Sequence, residues 1–418
     1  MYSAKTARMR LDRIVDSVRS NVDPTFEPKE YSPGECFEWI VKLHSAHDPE
    51  KGATRPLSVA EERFILNELV LSKADFRYWV ARYARIKTKD ATLEPIKLWE
   101  SQRIILDRIA QVEESAVDGT RGDGVIVSIL KARQLGASTL TEAMIAHRAF
   151  FYGNLMAIIA GDTPEQSAYL FDMIERIYEH LPWWMLPELT YHVKDNQMYF
   201  GKTDSLVSVY AAKSTRGSND LEMGKGQLGR GKTPHIAHLS ELSTWPNPDQ
   251  LDDSFFPAFP RTSVALCAME STARGRGNWW HDTWRLAKRG LGRSVPIFIP
   301  WYAETLTYRR PAPVDWVPSD LALAHARKAL EVSHYWCGRT IQLDRDQLYW
   351  WETMRAEYSE KKKLNIFLAE YCATDDEAFQ NTSVSVFPSE VLAVQRDRAK
   401  PMTGLLEIHP RSAMVSKT

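Results

Sequence analysis

VIVSILKARQLGASTLTEAMIAHRAFFY, residues 125–152, is the stretch of sequence that decides the fold. It starts with a short apolar run rich in β-branched residues, passes through a polar segment with one glycine, and continues with helical apolar spacing. The pattern predicts a strand, a tight loop and a helix in direct succession. Such a succession is the building unit of an α/β fold.

The loop segment KARQLGAST, residues 131–139, has two interpretations. In the first it binds phosphate: Gly136 provides the turn, the first helical N–H groups face the anion, and Ser138 or Thr139 offers a hydroxyl to Mg²⁺. In the second it is a helix start after a strand, with solvated basic residues. The pattern alone leaves both interpretations open.

The charge of this loop departs from the usual phosphate-binding pattern. Ala137 stands where a lysine normally precedes the hydroxyl residue. A cation for the phosphates therefore has to come from elsewhere, and Lys131 and Arg133 are the candidates.

A second segment, GKGQLGRGKT at residues 224–233, matches the phosphate-loop pattern literally. A genuine loop of this kind follows a strand and begins a helix. Here Thr233 is followed by Pro234 and a β-type run, and the preceding residues are typical of a loop. The context favours residues 131–139 over the literal match.

Strands alternate with helices over the middle of the chain, which predicts an α/β domain with a mainly parallel sheet. We expect an N-terminal helical arm over 1–57, an α/β domain over 58–300 with its core from about 90, and a linker or lid subdomain over 301–418. Further strands are predicted at 155–161, 206–212, 234–240 and 263–270, and helices at 99–112, 164–181 and 278–290.

Composition excludes several classes of protein. The 418 residues carry 53 Lys and Arg against 54 Asp and Glu, a net charge of -1, which excludes a strongly basic nucleic-acid coat. No apolar run reaches the roughly 18 residues of a membrane span. The four cysteines form no CxxC pair, which is against a disulfide framework or a zinc site. A protein inside the cell, away from membranes, is predicted.

KARQLGAST closely resembles the deviant Walker A motif of phage terminase large subunits, in which the lysine stands at the start of the loop, as Lys131 does here. The resemblance follows the family's motif order over about 60–400. It implies a P-loop NTPase fold of the ASCE/RecA-like type that binds ATP and Mg²⁺. Nucleotide binding is then assigned to a set of loop residues: Lys131, Arg133, Gln134, Gly136, Ser138 and Thr139.

HIAHLSELSTWPNP, residues 235–248, resembles the family's Walker B segment, with Ser240 in place of the metal-side aspartate. On that resemblance Glu241 is the catalytic carboxylate, while Ser138 and Ser240 belong with it to the metal site. Arg133 and Arg230 are the candidate catalytic arginines. Arg230 could instead contact DNA or be solvated, and Glu241 alone could be an exposed strand-end residue.

Two further segments match the family. In SVALCAMESTARGRGN, residues 263–278, Ser271 and Thr272 resemble the strand end that senses the γ-phosphate, with a strand-end ST-turn as the alternative. In EPIKLWESQRIIL, residues 94–106, Gln102 resembles the adenine-recognising glutamine, and a surface glutamine on a helix is the alternative.

The resemblance also implies partners. It predicts ATP-driven movement of double-stranded DNA into a procapsid by a homo-oligomeric ring at the portal vertex, in the host cytoplasm, with portal protein and small terminase subunit. Residues 271–310 carry eight Arg and Lys against two acids, which fits DNA contact, a subunit interface or a solvated face.

The C-terminal end shapes the expected activity. YCATDDEAFQNTSVSVF, residues 371–387, resembles the segment that precedes the family's nuclease domain. Too few residues follow it in this sequence for such a domain, so no DNA cleavage is expected from this chain. A helicase-like or remodelling ATPase is one alternative. A virion assembly protein with an inactive nucleotide-binding fold is the other, favoured by Ala137 and the absent Walker B aspartate.

The choice between the two loops is testable by substitution. We expect Lys131→Ala to abolish nucleotide binding, measured with a fluorescent ATP analogue, because Lys131 supplies the cation of the loop. Lys232→Ala in the literal match is the control and should bind normally. The reverse result would show that residues 226–233 are the phosphate loop.

Overall fold

The fold is described from a computed structural model of the chain. It describes residues 4–21, 23–48, 52–88, 90–117, 124–212, 233–262, 264–380, 406–408 and 415–417.

Thirteen helices are present in this part of the chain. They are α1 Ala4–Asn21, α2 Pro33–His44, α3 Val59–Ala74, α4 Phe76–Arg82, α5 Glu100–Val117, α6 Ala137–Phe151, α7 Pro164–Glu179, α8 Phe256–Ala258, α9 Trp279–Lys288, α10 Asp320–Cys337, α11 Arg345–Glu360, α12 Leu364–Glu370 and α13 Asp375–Ala378. Short turns of 3₁₀ helix lie at Leu242–Thr244 and Trp301–Ala303, and a π-helical turn at Leu251–Phe255.

The strands are β1 His47–Asp48, β2 Gly52–Ala53, β3 Arg85–Lys87, β4 Leu93–Pro95, β5 Val125–Lys131, β6 Met156–Gly161, β7 Tyr191–Val193, β8 Gln197–Phe200, β9 Ser205–Ala211, β10 Ile236–Ser240, β11 Leu266–Ser271, β12 Val295–Ile299, β13 Leu406–Ile408 and β14 Val415–Lys417. Eight of them form one sheet in the order β12-β5-β11-β10-β6-β9-β8-β7. The remaining strands pair two by two.

The six strands from β12 to β9 are parallel, which confirms the predicted α/β fold with a mainly parallel sheet. Strand β11 lies between β5, which leads into the loop at 132–136, and β10, which ends at Ser240. Because parallel strands end at the same edge of a sheet, the ends of β5, β10 and β11 come together. The antiparallel hairpin β7–β8 was not predicted, since its strands have only three and four residues.

Burial explains why these segments form their elements. All seven residues of β5 and all five of β10 are buried, as expected for strands covered on both faces. Helix α6 follows β5 and buries nearly its whole length, from Ala137 to Phe150, against the sheet. The loop between β5 and α6 is therefore held at both ends by rigid, buried elements.

The buried core continues beyond residue 300. Trp301, Trp336, Trp351 and Phe367 belong to the same cluster of buried side chains as the strands. The N-terminal helix α1 packs instead in a small separate cluster around Val15. Helices α10 to α12 therefore pack against the sheet domain, while the division into 1–57, 58–300 and 301–418 stays a prediction.

The structure describes the surroundings of the cysteines and the character of the helices. All four cysteines are buried free thiols. Of the described helices, none combines the length and the apolar character needed to cross a membrane.

His325 on α10 provides a pH test of this packing. It is 8% exposed and its ring stacks on Trp351, with centroids 3.9 Å apart. Burial, reinforced by Lys328 and Arg355, lowers the pKa of His325 to about 3. The unfolded chain therefore takes up the proton first, and the stability contributed by the neutral ring is lost as the pH falls from about 6.5 towards 3.

We expect the wild type to lose about 2 kcal/mol more unfolding free energy than His325→Phe between pH 7 and pH 5. Urea unfolding followed by tryptophan fluorescence at several pH values measures this difference. Equal pH dependence of the two proteins would contradict the burial of a neutral histidine at this position.

Candidate functional site

The loop at 132–136 turns sharply because two of its residues have left-handed backbone conformations. Gln134 has φ +53° and Gly136 has φ +74°. Gly136 is the N-cap of α6 and no side chain caps the helix. The first N–H groups of α6 lack partners within the helix, and this end of a helix attracts anions. This backbone arrangement is of the kind that the phosphate-loop prediction requires, and phosphate binding by the loop stays a prediction.

Neighbouring segments hold the loop in place. The N–H of Ala132 donates to Ile299 O at 3.0 Å, and the N–H of Arg133 donates to Glu370 O at 3.0 Å. The Tyr308 hydroxyl donates to the carbonyl oxygen of Arg133. The C-terminal helices therefore help to set the conformation of the loop.

Gln102 lies under the loop. Its Nε2 donates to Gly136 O at 2.9 Å, and its Oε1 accepts from the N–H of Trp99 at 2.9 Å. The side chain is 4% exposed. Both ends of the amide thus bind main chain here, and adenine recognition by Gln102 stays a prediction.

Lys131 ends β5 beneath the loop and is 7% exposed. Its Nζ lies 3.4 Å from Oε1 of Glu241. Burial alone would lower the pKa of Lys131, but Glu270 and Glu241 outweigh burial and raise it above its usual value. The lysine is therefore a charged group at the start of the loop, where a phosphate would sit.

Glu241 follows β10 in a left-handed conformation, with φ +57°. This conformation is uncommon for a residue other than glycine, and it turns the chain into the 3₁₀ turn at Leu242–Thr244. The Ser271 hydroxyl donates to Oε2 of Glu241 at 3.5 Å and to the Ser243 hydroxyl at 2.9 Å. The structure thus brings together Lys131, Glu241 and Ser271, which come from three neighbouring strands.

Arg133 is half-exposed above the loop and forms an ion pair with Glu370 on α12. Burial raises the pKa of the Glu370 carboxyl, although Arg133 and Arg274 oppose that shift. The side chain of Arg133 is thus engaged with the C-terminal helices, and contact with a phosphate would require it to exchange partners.

A cavity of about 370 Å³ lies over these side chains. Its lining residues are Lys131, Arg133, Gln134, Asp162, Gln166, Glu241, Thr244, Thr272 and Arg274. Five of the residues predicted from the sequence therefore face one space. Thr139 is half-buried in the first turn of α6.

Three buried residues complete the site: the sequence suggests Glu270 as a further polar residue beside Ser271 and Thr272, and it gives His238 and Glu142 no role. Glu270, at the end of β11, accepts from the Ser138 hydroxyl at 2.5 Å and from the Ser240 hydroxyl at 3.1 Å. His238 on β10 lies between two carboxylates, with Nδ1 2.6 Å from Glu142 and Nε2 3.1 Å from Glu270. All three side chains are fully buried.

The charges of His238 and Glu270 stabilise each other, whereas burial raises the pKa of Glu142. Burial alone would lower the pKa of His238, but Glu142 and Glu270 raise it to about 10. Burial would likewise raise the pKa of Glu270, but Lys131 and His238 lower it to about 2. Acidic residues at the buried positions 142 and 270 are the sequence signal that could have identified the group.

Some predicted features lie elsewhere. Arg230 and residues 226–232 of the literal phosphate-loop match fall outside the part of the chain that the structure describes. Trp280 and Trp284 of the basic segment are buried core residues. Arg274 and Arg276 are exposed, whereas Lys288 pairs with Asp375 at 2.6 Å.

A larger cavity, of about 760 Å³, lies beside α9 and is lined by Trp245, Asp252, Met269 and Trp279 among others. Successive strand residues point to opposite faces of a sheet, so Met269 and Glu270 lie on different faces. No residue of the loop at 132–136 lines this cavity.

Comparison with solved structures finds bacteriophage large terminases. The large terminase of bacteriophage HK97 has 14% sequence identity and a TM-score of 0.44, over 73% of this chain and 53% of that chain. The ATPase domain of the Thermus phage P74-26 large terminase has 15% identity and a TM-score of 0.33, over 49% and 88%. A large terminase from another thermophilic bacteriophage has 12% identity and a TM-score of 0.36, over 59% and 53%.

The chain therefore spans about half the length of the first and third of these proteins. No protein-family model matches the sequence. No curated protein has a significant match either. At identities of 12–15% we carry over no residue role from these proteins.

The backbone of the loop generates a test. A Cβ on Gly136 would lie 2.8 Å from Nε2 of Gln102, in addition to the strain of its positive φ. Gly277 has φ +80° with nothing within 4 Å of a Cβ, so it is a matched control with strain alone. We expect Gly277→Ala to cost about 1 kcal/mol of unfolding free energy and Gly136→Ala at least about 2 kcal/mol.

Chemical denaturation measures both costs. Adding Gln102→Ala to Gly136→Ala should recover the part of the cost that comes from the close contact. Equal costs at positions 136 and 277 would show that Gln102 does not pack against this glycine.

Proposed function

We propose that this chain is an Mg²⁺-dependent ATPase. The observation that carries the proposal is the pair formed by Lys131 at the start of a phosphate-loop backbone and Glu241 at the end of the strand across β11, 3.4 Å apart. A cation for the phosphates and a carboxylate for the attacking water are the two side-chain groups that hydrolysis of a nucleoside triphosphate needs.

In the nucleotide-free site the ion pair between Lys131 and Glu241 keeps both side chains from acting in catalysis. A triphosphate that enters the cavity offers Lys131 a more highly charged partner than Glu241. Once Lys131 turns to the phosphates, Glu241 is released to orient water. Ser271 contacts Glu241, and Thr272 lines the cavity. We propose that these two residues sense the γ-phosphate and that its loss on hydrolysis shifts the end of β11.

The residues fit Mg²⁺ held jointly with a nucleotide. Within the described ranges no group of three or more His, Cys, Asp or Glu side chains could hold a metal by itself. Mg²⁺ ordinarily takes few protein ligands and completes its shell with water and substrate phosphates. We assign Ser138, Ser240 and Glu241 to the metal, which would neutralise charge on the phosphates.

We further propose that the ATPase is the motor of a phage terminase large subunit, moving double-stranded DNA into a procapsid. The support is the order of motifs along the chain: an adenine segment at 94–106, the KARQLGAST loop, the HLSE strand end and the STA strand end at 271–273. Exposed Arg274 and Arg276 follow that strand end and are candidate DNA contacts.

The remaining assignments belong to the assembled motor. We propose a homo-oligomeric ring on the procapsid portal in the host cytoplasm, with portal protein and small terminase subunit as partners. In that ring Arg230 is the candidate arginine finger. A helicase-like or remodelling ATPase is the alternative; residues 301–380, all of them described, are helical or irregular and form no second strand–helix series.

The catalytic step is tested with Glu241→Gln. We expect Mg²⁺-dependent phosphate release to fall by about 10²- to 10⁴-fold, because the amide cannot accept a proton from water, while ATP binding persists. Glu357→Gln, which removes an exposed carboxylate paired with Lys361, is the matched control and should keep wild-type turnover.

Turnover is measured with the full chain, alone and with DNA, portal protein and small subunit. Activity of Glu241→Gln within tenfold of wild type would overturn the assignment of Glu241. ATP binding by the wild type without any turnover in the full mixture would favour the non-catalytic assembly protein.

A further inference from the structure

The strand that separates Lys131 from Glu241 carries an acid of its own. In the parallel register Glu270 on β11 lies opposite Ile129 on β5 and opposite Ser240 on β10. Register partners point to the same face, so Glu270 and Ser240 face the same side of the sheet. That side is covered by α6, whose residues Ser138 and Glu142, four positions apart, lie on one helix face.

One oxygen of Glu270 collects every polar contact of this side chain. Oε1 accepts from the Ser138 hydroxyl at 2.5 Å and from the Ser240 hydroxyl at 3.1 Å, and lies 3.1 Å from Nε2 of His238. The other oxygen, Oε2, is fully buried and has no hydrogen-bond partner among the residues described. A buried carboxylate oxygen without a partner is costly, which points to a ligand that completes it.

The surroundings keep this acid ionised and fixed. His238 contacts Glu270 on one side and Glu142 on the other, and no side chain of the three is exposed. A buried charge persists only where opposite charge and hydrogen bonds compensate its lost hydration. The Glu142–His238 pair therefore acts on the metal site through Glu270, as a positioning pair.

The motif at the end of β10 lacks a metal-side carboxylate, and Glu270 lies close enough to supply one. Ser240 occupies the place where an aspartate would serve the metal, and its hydroxyl cannot supply a negative charge. Glu241 points to Lys131, at the entrance of the cavity. Glu270 instead contacts Ser138, the first-turn hydroxyl residue of α6 and the candidate Mg²⁺ ligand.

We propose that Glu270 supplies the metal-side carboxylate of this site: it orients the Ser138 hydroxyl and binds Mg²⁺ or its water shell, in place of the acid that β10 lacks. The inference rests on the proposed ATPase function and deepens it. It makes the metal site a product of β10, β11 and α6.

The experiment measures metal binding directly, apart from turnover. Mn²⁺ is titrated into the full chain with a non-hydrolysable ATP analogue and followed by electron paramagnetic resonance. Analogue affinity is measured in Mg²⁺ and in EDTA. For Glu270→Gln we expect Mn²⁺ affinity to fall by about 10- to 100-fold, with analogue affinity in EDTA close to wild type.

A matched control and a rescue separate this role from a structural one. Glu175→Gln removes a buried carboxylate that contacts a histidine, His192, outside the site, and should leave Mn²⁺ affinity unchanged. In Ser240→Asp/Glu270→Ser the acid moves to the neighbouring strand, where the Ser240 hydroxyl lies 3.1 Å from the present carboxylate. We expect this double variant to regain most of the Mn²⁺ affinity that Glu270→Ser loses.

Three outcomes decide between the proposals. Folded Glu270→Gln with wild-type Mn²⁺ affinity overturns the role of Glu270. If that variant does not fold, Glu270→Asp carries the test, because it keeps the charge and withdraws it from Ser138 by one methylene; wild-type Mn²⁺ affinity there overturns the role. A wild-type chain that binds neither analogue nor Mn²⁺ overturns the proposed ATPase itself.

Discussion

The rest of the site depends on a buried lysine whose charge is neutralised by carboxylates at two neighbouring strand ends. Lys131 closes β5 under the loop, and its charge is balanced by Glu241 after β10 and Glu270 on β11. An ammonium group this deep in the protein would lose its proton without such partners. The strand order brings these charges together: β11 lies between β5 and β10, so Glu270 and Glu241 both end up near Lys131.

This constraint also explains why the site extends beyond the sheet. The loop that carries Arg133 is held by main-chain contact with Glu370 and by the Tyr308 hydroxyl, so residues after 300 share in its conformation. Movement of α12 would alter the ion pair between Arg133 and Glu370. The C-terminal helices, which the sequence predicts to be a separate linker or lid subdomain, are therefore coupled to the loop at 132–136.

Local patterns made most of the fold predictable. The segments 125–130, 155–161, 234–240 and 263–270 are short apolar-rich runs, as buried parallel strands commonly are. The hairpin β7–β8 was not predicted, because strands of three and four residues are too short to show a recognisable alternation of apolar and polar residues. Trp280 and Trp284 lie in the basic segment 271–310, and both are buried in the core.

The sequence by itself determined the loop, its glycine, and the identity of Lys131 and Glu241 as the charged groups at two strand ends. These follow from residue type and local spacing. Only the tertiary structure decided that Glu270 contacts Ser138, that His238 lies between two carboxylates, and that Gln102 binds the loop backbone. Those contacts depend on strand order and register, which bring together residues 32 to 132 positions apart and which local spacing does not specify.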